Sequence, residues 1–282
     1  MTPLTMIPEH SPAARPSAPR TRRPKTGLTV VMPALNEEDN IAAAVESCLA
    51  GFAEFGIEGE IVAVDDGSSD RTGSILAELA RRDSRVRVLA HPAPRGIGAS
   101  FWDGIEAAAS PAVVMLPGDN ENDPAEIFRY LGLLDHVDIV VPFVFNRAAR
   151  SPWRVLLSRL FRFIVNASFG THFNYTNGTC LYRRSILKDL GSREPGFFYQ
   201  TDILVRLARR GYLFAEVPYR LGGRHAGRAK AVSWASLKQV VRGYARLLRD
   251  LRLAAPKEAF AAYPPDSATL SRREPDRRAE TA

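Results

Sequence analysis

Between residues 27 and 144, short apolar runs alternate with amphipathic stretches. Residues 28–32 and 61–64 are apolar or β-branched with hardly a polar position among them, the pattern of strands covered on both faces. Pro33 stops the first run, and Asp65-Asp66-Gly67 turns the chain after the second. Residues 85–89, 112–116 and 137–141 predict three more strands. Helix starts fall between them. Asn36, followed by Glu37, Glu38 and Asp39, predicts a capped and acidic first turn, and Ser68, Ser69 and Asp70 offer caps for a helix reaching about Arg82. Arg95-Gly-Ile-Gly-Ala-Ser opens a small-residue helix to Ala109, and residues 124–134 predict another. Further along, residues 151–170, 202–210 and 232–251 carry apolar positions at helical spacing.

Repeated strand-helix units predict an α/β fold with a mostly parallel central sheet flanked by helices. Right-handed crossovers bring the strand ends to one edge, where open sheets of this kind bind ligands. Glu37, Asp65, Asp66, Asp119, Glu121 and Asp123 all follow strands and are expected to line one cleft there. So much negative charge in one place calls for a cation, and carboxylates around a hydrated divalent ion suit Mg²⁺ or Mn²⁺ bound to a diphosphate.

Composition changes the picture at the ends of the chain. Residues 1–26 form a basic arm rich in Pro and Ala with no apolar periodicity, and residues 254–282 lack it too; both are expected to be disordered. That leaves residues 27–231 as one α/β domain and residues 232–253 as an amphipathic helix. Cys48 and Cys180 lie far apart in apolar surroundings, as reduced thiols of a cytosolic protein would. A net charge of +7 favours polyanionic partners, among them diphosphates and lipid headgroups. Nucleic acid has only that charge in its favour, with no base-reading motif, so no nucleic-acid partner is expected. No stretch reaches the ~20 apolar residues of a spanning helix. The basic amphipathic segments 232–251 and 151–170 instead suit peripheral attachment to a membrane surface, and packing onto their own domain fits the same pattern.

Pro33-Ala-Leu-Asn-Glu37, Val64-Asp-Asp-Gly-Ser-Ser-Asp70 and Gly118-Asp-Asn-Glu121 resemble, in order and spacing, the motifs of family 2 glycosyltransferases, whose catalytic domain has the GT-A fold. The resemblance covers roughly residues 27–231. Arg224-His-Ala-Gly-Arg-Ala-Lys230 is similar to the dolichyl-phosphate and other polyprenyl-phosphate hexosyltransferases within that family. It implies that Pro33, Leu35, Glu37, Asp65, Asp66 and Gly118 surround the nucleotide sugar. It also implies that Asp119 is the metal-binding acid, with Mg²⁺ or Mn²⁺ as cofactor. The family commonly has an acid where this chain has Pro117 and Gln where it has Glu121, so Glu121 is expected to return the missing oxygen ligand. Arg224, Arg228 and Lys230 are candidate cations for the diphosphate or an acceptor phosphate. Asp202 stands where many members place an acid near the acceptor, as a base if the acceptor is a hydroxyl. The expected partners are a nucleoside-diphosphate sugar and a polyprenyl-phosphate or other lipid acceptor at the inner membrane face. Transfer to a hydroxyl, or sugar-nucleotide binding without turnover, are the alternatives. Asn174, Asn177 and Tyr182 are further candidates to read sugar hydroxyls.

Overall fold

The structure, a computed structural model, describes residues 27–145, 152–176, 178–188, 190–220, 234–252 and 262–273. Strands β1 (Leu28–Ala34), β2 (Gly59–Asp65), β3 (Val86–Ala90) and β4 (Ala112–Met115) run parallel, with β1 between β2 and β4. Helices α1 (Ile41–Phe55), α2 (Thr72–Arg82) and α3 (Ile97–Ala107) connect them. Residues 125–135 are not one helix: α4 (Ala125–Phe128) is followed by a 3₁₀ turn at Leu131–Asp135. Beyond them come β5 (Ile139–Val144), α5 (Pro152–Phe169), β6 (Leu181–Arg183), α6 (Ser185–Lys188), α7 (Tyr199–Arg209) and β7 (Phe214–Tyr219). The last elements are α8 (Trp234–Arg252) and α9 (Ala268–Arg273).

The sheet order is β3-β2-β1-β4-β6-β5-β7. Only β6 runs antiparallel to its neighbours, while β5 and β7 pair in parallel. At three residues β6 is too short to show a period, which is why the apolar pattern does not announce it. Both sheet faces are covered. Val30 and Met32 pack with Ile41, Val45, Phe52 and Leu76 on one side, while Val31 and Val64 pack with Phe101, Trp102, Ile203 and Leu204 on the other. Alternate residues of β1 therefore enter two different cores, so its apolar run has no polar side.

Gly104 lets α3 lie close to β1, since a Cβ there would stand 2.3 Å from Val31 Cγ1. Both cysteines are buried free thiols, and burial pushes each up to about 12, so neither presents a thiolate.

The carboxyl-terminal region departs from expectation. Residues 262–273 are folded, with Ser267, Ala268 and Thr269 buried against the domain. Asp138, fully buried just before β5, takes Ser267 Oγ at 2.8 Å, the Ala268 and Thr269 amides at 2.8 and 3.0 Å, and Thr269 Oγ1 at 2.5 Å. Arg183 Nε adds an ion pair at 3.0 Å. The segment is short and polar, so its order comes from a partner far away in sequence.

Candidate active site

The site is built on the carboxyl end of β1. Its backbone is shared by two neighbours: the Asp66 amide donates to Ala34 O at 2.8 Å, and on the other side the Gly118 amide donates to Pro33 O at 3.0 Å. The chain crosses from one side of β1 to the other between β3 and β4, which makes this the point where strand order reverses and a crevice opens. Pro33 is buried, Leu35 and Glu37 are half-buried, and Asp65, Asp66 and Gly118 are buried around it.

The loops after β1 and β2 are stitched together. Asn36 sits at φ 54°, where its backbone N–H donates to Ser68 Oγ at 3.0 Å and its Oδ1 accepts from the Ser69 amide at 2.8 Å. Asn is among the few residues that tolerate that conformation. The Glu37 amide donates to Thr72 Oγ1 at 2.8 Å, the Glu38 amide to Asp70 Oδ2 at 3.1 Å, and Arg71 returns to Glu38 through its amide and Nε. Desolvation pushes the Asp70 carboxyl up, and hydrogen bonds from Thr72 and the Glu38 amide together outweigh it and hold the group below its ordinary carboxylate value. Asn36 therefore does not cap α1. The helix starts at Ile41 with no acid in its first turn, and residues 37–40 form a turn of their own.

The two adjacent aspartates have different surroundings. Asp65 accepts from the Ser68 amide at 3.0 Å and lies against the start of α2, where a Cβ on Gly73 would stand 2.6 Å from Oδ2. Asp66 turns the other way. Its Oδ1 takes the Arg95 amide at 2.8 Å and His91 Nδ1 at 2.7 Å, and its Oδ2 takes the Gly96 amide at 2.9 Å. His91 also meets Asp103 at 3.0 Å, and Arg95 closes on Asp103 at 2.6 Å. Asp66 thus holds the entrance to α3, where Gly96 adopts φ 99°. Asp66→Ala would strand the half-buried Arg95 and Gly96 amides, and we expect it to lower unfolding free energy by about 2 kcal/mol in a urea titration. An unchanged midpoint would contradict this role.

The loop after β4 brings Gly118 against Ile41 and Ala34, with a virtual Cβ only 2.5 Å from Ile41 Cδ1. Asp119 Oδ1 accepts from the Glu121 amide at 3.1 Å, so the loop doubles back with both acids on it, and Asn120 between them sits at φ 55°. Tyr219, at the end of β7, donates to Asn122 Oδ1 at 2.8 Å, and the Arg220 amide donates to Glu126 at 3.1 Å. The loop is thereby anchored to the strand that leads into residues 221–233. Arg224, Arg228 and Lys230 belong to that stretch, outside the described residues, as do Asn177 and the arm of residues 1–26.

The acids share an edge without forming one cluster. Among the described residues no three His, Cys, Asp or Glu side chains come together as metal ligands. The reason is local: Asp66 serves the α3 entrance, Glu37 takes Asn40 Nδ2 at 3.0 Å, and Asp123 caps the Ala125 amide at 2.9 Å. Asp119 and Glu121 stand two residues apart on one loop, and two carboxylates are the number by which Mg²⁺ or Mn²⁺ sites that draw other oxygens from substrate phosphates and water are held.

Asp202 is not an exposed acid. It is buried in the first turn of α7 and faces Arg206 Nε at 3.0 and 3.1 Å, while Arg206 pairs with Asp250 of α8 at 2.8 Å. Burial raises its carboxyl above the ordinary value, against the opposing pull of Arg206. Tyr182 is also buried, its hydroxyl accepting from Gln200 Nε2, and Asn174 is taken by both oxygens of Glu216. The cross-loop partners Asn36, Ser68, Ser69 and Thr72, and the anchor Tyr219, are contributions that spacing alone does not announce; each pair joins residues more than thirty positions apart.

Residues 29–191 match the glycosyl transferase family 2 description. The chain belongs to glycosyl transferase family 2. This glycosyltransferase is 29% identical over 228 residues to polyprenol monophosphomannose synthase of Mycolicibacterium smegmatis, covering 75% of this chain and 83% of that one. It is 31% identical over 163 residues to undecaprenyl-phosphate 4-deoxy-4-formamido-L-arabinose transferase of Pectobacterium carotovorum, covering 57% of this chain and half of that longer protein. Among solved structures, glucosyl-3-phosphoglycerate synthase from Mycobacterium tuberculosis, in complex with Mg²⁺ and uridine diphosphate, superposes with a TM-score of 0.62 at 22% identity over 79% of each chain. The GT-A fold of this glycosyltransferase is thereby shown. Another structure of the same synthase holds Mn²⁺, UDP-glucose and phosphoglyceric acid. No helix among the described residues is long and apolar enough to cross a membrane.

Proposed function

We propose that this glycosyltransferase moves a hexose, with inversion, from a nucleoside-diphosphate sugar to a polyprenyl phosphate at the cytosolic face of a membrane. The observation that carries this reading is the match to the mycobacterial polyprenol monophosphomannose synthase, which at 228 residues extends past the nucleotide half of the domain.

In this reading the stitched loops after β1 and β2 hold the base and ribose, with Pro33, Leu35, Glu37 and Asp65 on their inner side. The cross-loop hydrogen bonds fix that cradle before substrate arrives, so little ordering cost falls on binding. Asp119 and Glu121 would hold Mg²⁺ or Mn²⁺; when bound, the ion supplies positive charge beside the leaving diphosphate. Gly118 keeps that loop against β1, close to the diphosphate position. Arg224, Arg228 and Lys230 are proposed to meet the phosphate of the acceptor or donor. An acceptor phosphate oxygen attacks the anomeric carbon as the bond to the diphosphate breaks, and the acceptor is already an anion, so no side chain has to remove a proton. Asp202, engaged by Arg206, then serves as a positioning residue that ties α7 to α8.

Radiolabelled sugar supplied from a panel of nucleotide sugars, with purified protein, polyprenyl phosphate and Mg²⁺ or Mn²⁺, tests the reading. Label is expected in organic-extractable lipid and is expected to be released by mild acid. Label in a product resistant to mild acid would indicate a hydroxyl acceptor instead, and sugar-nucleotide binding without any product would indicate a protein that binds without turnover.

A further inference from the structure

α5 has two apolar faces, and only one is used by the fold. Phe161, Val165 and Phe169 turn inward, where they pack with Phe198, Val205 and Leu247. Leu156, Leu157, Leu160, Phe163 and Ile164 recur at i, i+1, i+4, i+7 and i+8, one continuous stripe, and all are exposed, Phe163 at 69% and Leu160 at 52%. So large a run of exposed side chains on one helix is unusual for a surface with no partner. α8, the more strongly amphipathic segment by sequence, has spent most of its apolar side. Val240, Tyr244, Leu247, Leu248 and Leu251 pack inward, and Leu237 and Val241 remain exposed.

The exposed charges carried by α5 and α8 are basic. α5 contains no acid, and Arg159 is exposed beside the stripe. α8 is joined to it through a 2.7 Å hydrogen bond between Ser168 and Tyr244 and an edge contact between Phe169 and Tyr244. It brings exposed Lys238, Arg242, Arg249 and Arg252, while its single acid, Asp250, is engaged by Arg206 and Arg249. Apolar side chains at the centre of a basic surround are what the headgroup layer of an anionic bilayer accepts: the side chains enter the acyl boundary while the guanidinium groups stay among phosphates.

We propose that the outward face of α5 is the surface by which the protein docks on an anionic lipid bilayer. The inference rests on the reading that the acceptor is a membrane lipid for its purpose, and on the exposed stripe and its basic surround for its substance. It reassigns the docking role from α8, whose apolar side is largely consumed by packing, to α5.

Flotation of the full chain with vesicles of phosphatidylcholine containing about one part in three phosphatidylglycerol tests it, without donor, acceptor or metal. The protein is expected to float with these vesicles, to bind pure phosphatidylcholine weakly, and to lose binding as salt rises. The variant Leu157→Ser, Leu160→Ser, Phe163→Ser is expected to lose at least about tenfold in bound fraction, because each residue removed is an exposed anchor. All three side chains lie outside the core, so its thermal midpoint is expected to match the parent's. A parent that stays in the soluble fraction, or a variant that floats equally well, would overturn the proposal. So would light scattering showing a parent dimer and a variant monomer, since the stripe would then be an interface between copies. Flotation lost with lipid-labelling activity toward a short, water-soluble polyprenyl phosphate retained separates the docking surface from the reaction; flotation retained with no transfer to any acceptor rejects the reaction and leaves the docking surface standing.

Discussion

Asp119→Asn is expected to lower kcat/KM for sugar transfer by about 10²–10⁴-fold while leaving the fold intact. Asp119 stands on the loop after β4, which Gly118 presses against Ile41 and which Tyr219 anchors through Asn122, so its position is fixed by packing on both sides. The substitution keeps the shape and the acceptor for the Glu121 amide but removes the charge that would hold a divalent ion. Glu121→Gln is expected to have a smaller effect, raising the Mg²⁺ or Mn²⁺ concentration for half-maximal rate by about tenfold, since one of two anionic ligands remains. Pro117 makes this comparison informative: no acid stands at that position, and the loop's other carboxylate, Asp123, accepts from the Ala125 amide. Transfer assayed across a metal titration decides the matter. Equal metal dependence in parent and both variants would remove these acids from the metal site.

Asp138→Ala is expected to cost about 3–5 kcal/mol of stability, the range for stripping one partner from a buried ion pair. The carboxylate is fully buried and serves Arg183, the Ala268 and Thr269 amides and two hydroxyls; its loss removes the buried counter-charge of Arg183 and the acceptor of the Ala268 amide. Because Asp138 takes four of the hydrogen bonds that hold residues 262–273, beside those of Thr269 with Leu213 and Tyr263 with Arg210, the same variant is expected to make that segment susceptible to proteolysis before the rest of the domain opens. Ser267→Ala, which removes only the cap of α9 and one of the hydroxyls, is expected to cost about 1 kcal/mol. Urea unfolding and limited proteolysis measure both. A loss under about 1 kcal/mol for Asp138→Ala would show that the segment is held by other contacts.

Residues 28–32 and 61–64 were legible as buried strands because a strand in the middle of a parallel sheet has no polar side to interrupt its pattern, although Pro33 does not stop β1, which runs on to Ala34. The helix boundaries were less so. Asn36 carries every local sign of a helix cap, yet its side chain goes to Ser69, thirty-three positions away, and α1 waits until Ile41. Asp65 and Asp66 were recognisable as a pair at a strand end; that one faces the start of α2 and the other the entrance to α3 depends on which loops arrive beside them. The same limit explains Asp202. Helical spacing places Arg206 one turn away, but the burial of the pair and its link to Asp250 require α8 to pack there.

Two amphipathic helices with similar patterns ended in different roles: α8 turns most of its apolar side to the core, while α5 leaves a stripe of five apolar side chains exposed. Hydrophobic periodicity records that a face is apolar and carries nothing about what covers it. By itself, then, the sequence determined the α/β class, the order of the strand-helix units, the loops that bear the acids and the family they resemble, because these are set by neighbours within a few residues. The tertiary structure decided the antiparallel β6, the direction each carboxylate takes, the docking of residues 262–273 and the exposed face of α5. Each of those depends on a partner brought close by the fold rather than by the chain, and no local pattern encodes that distance.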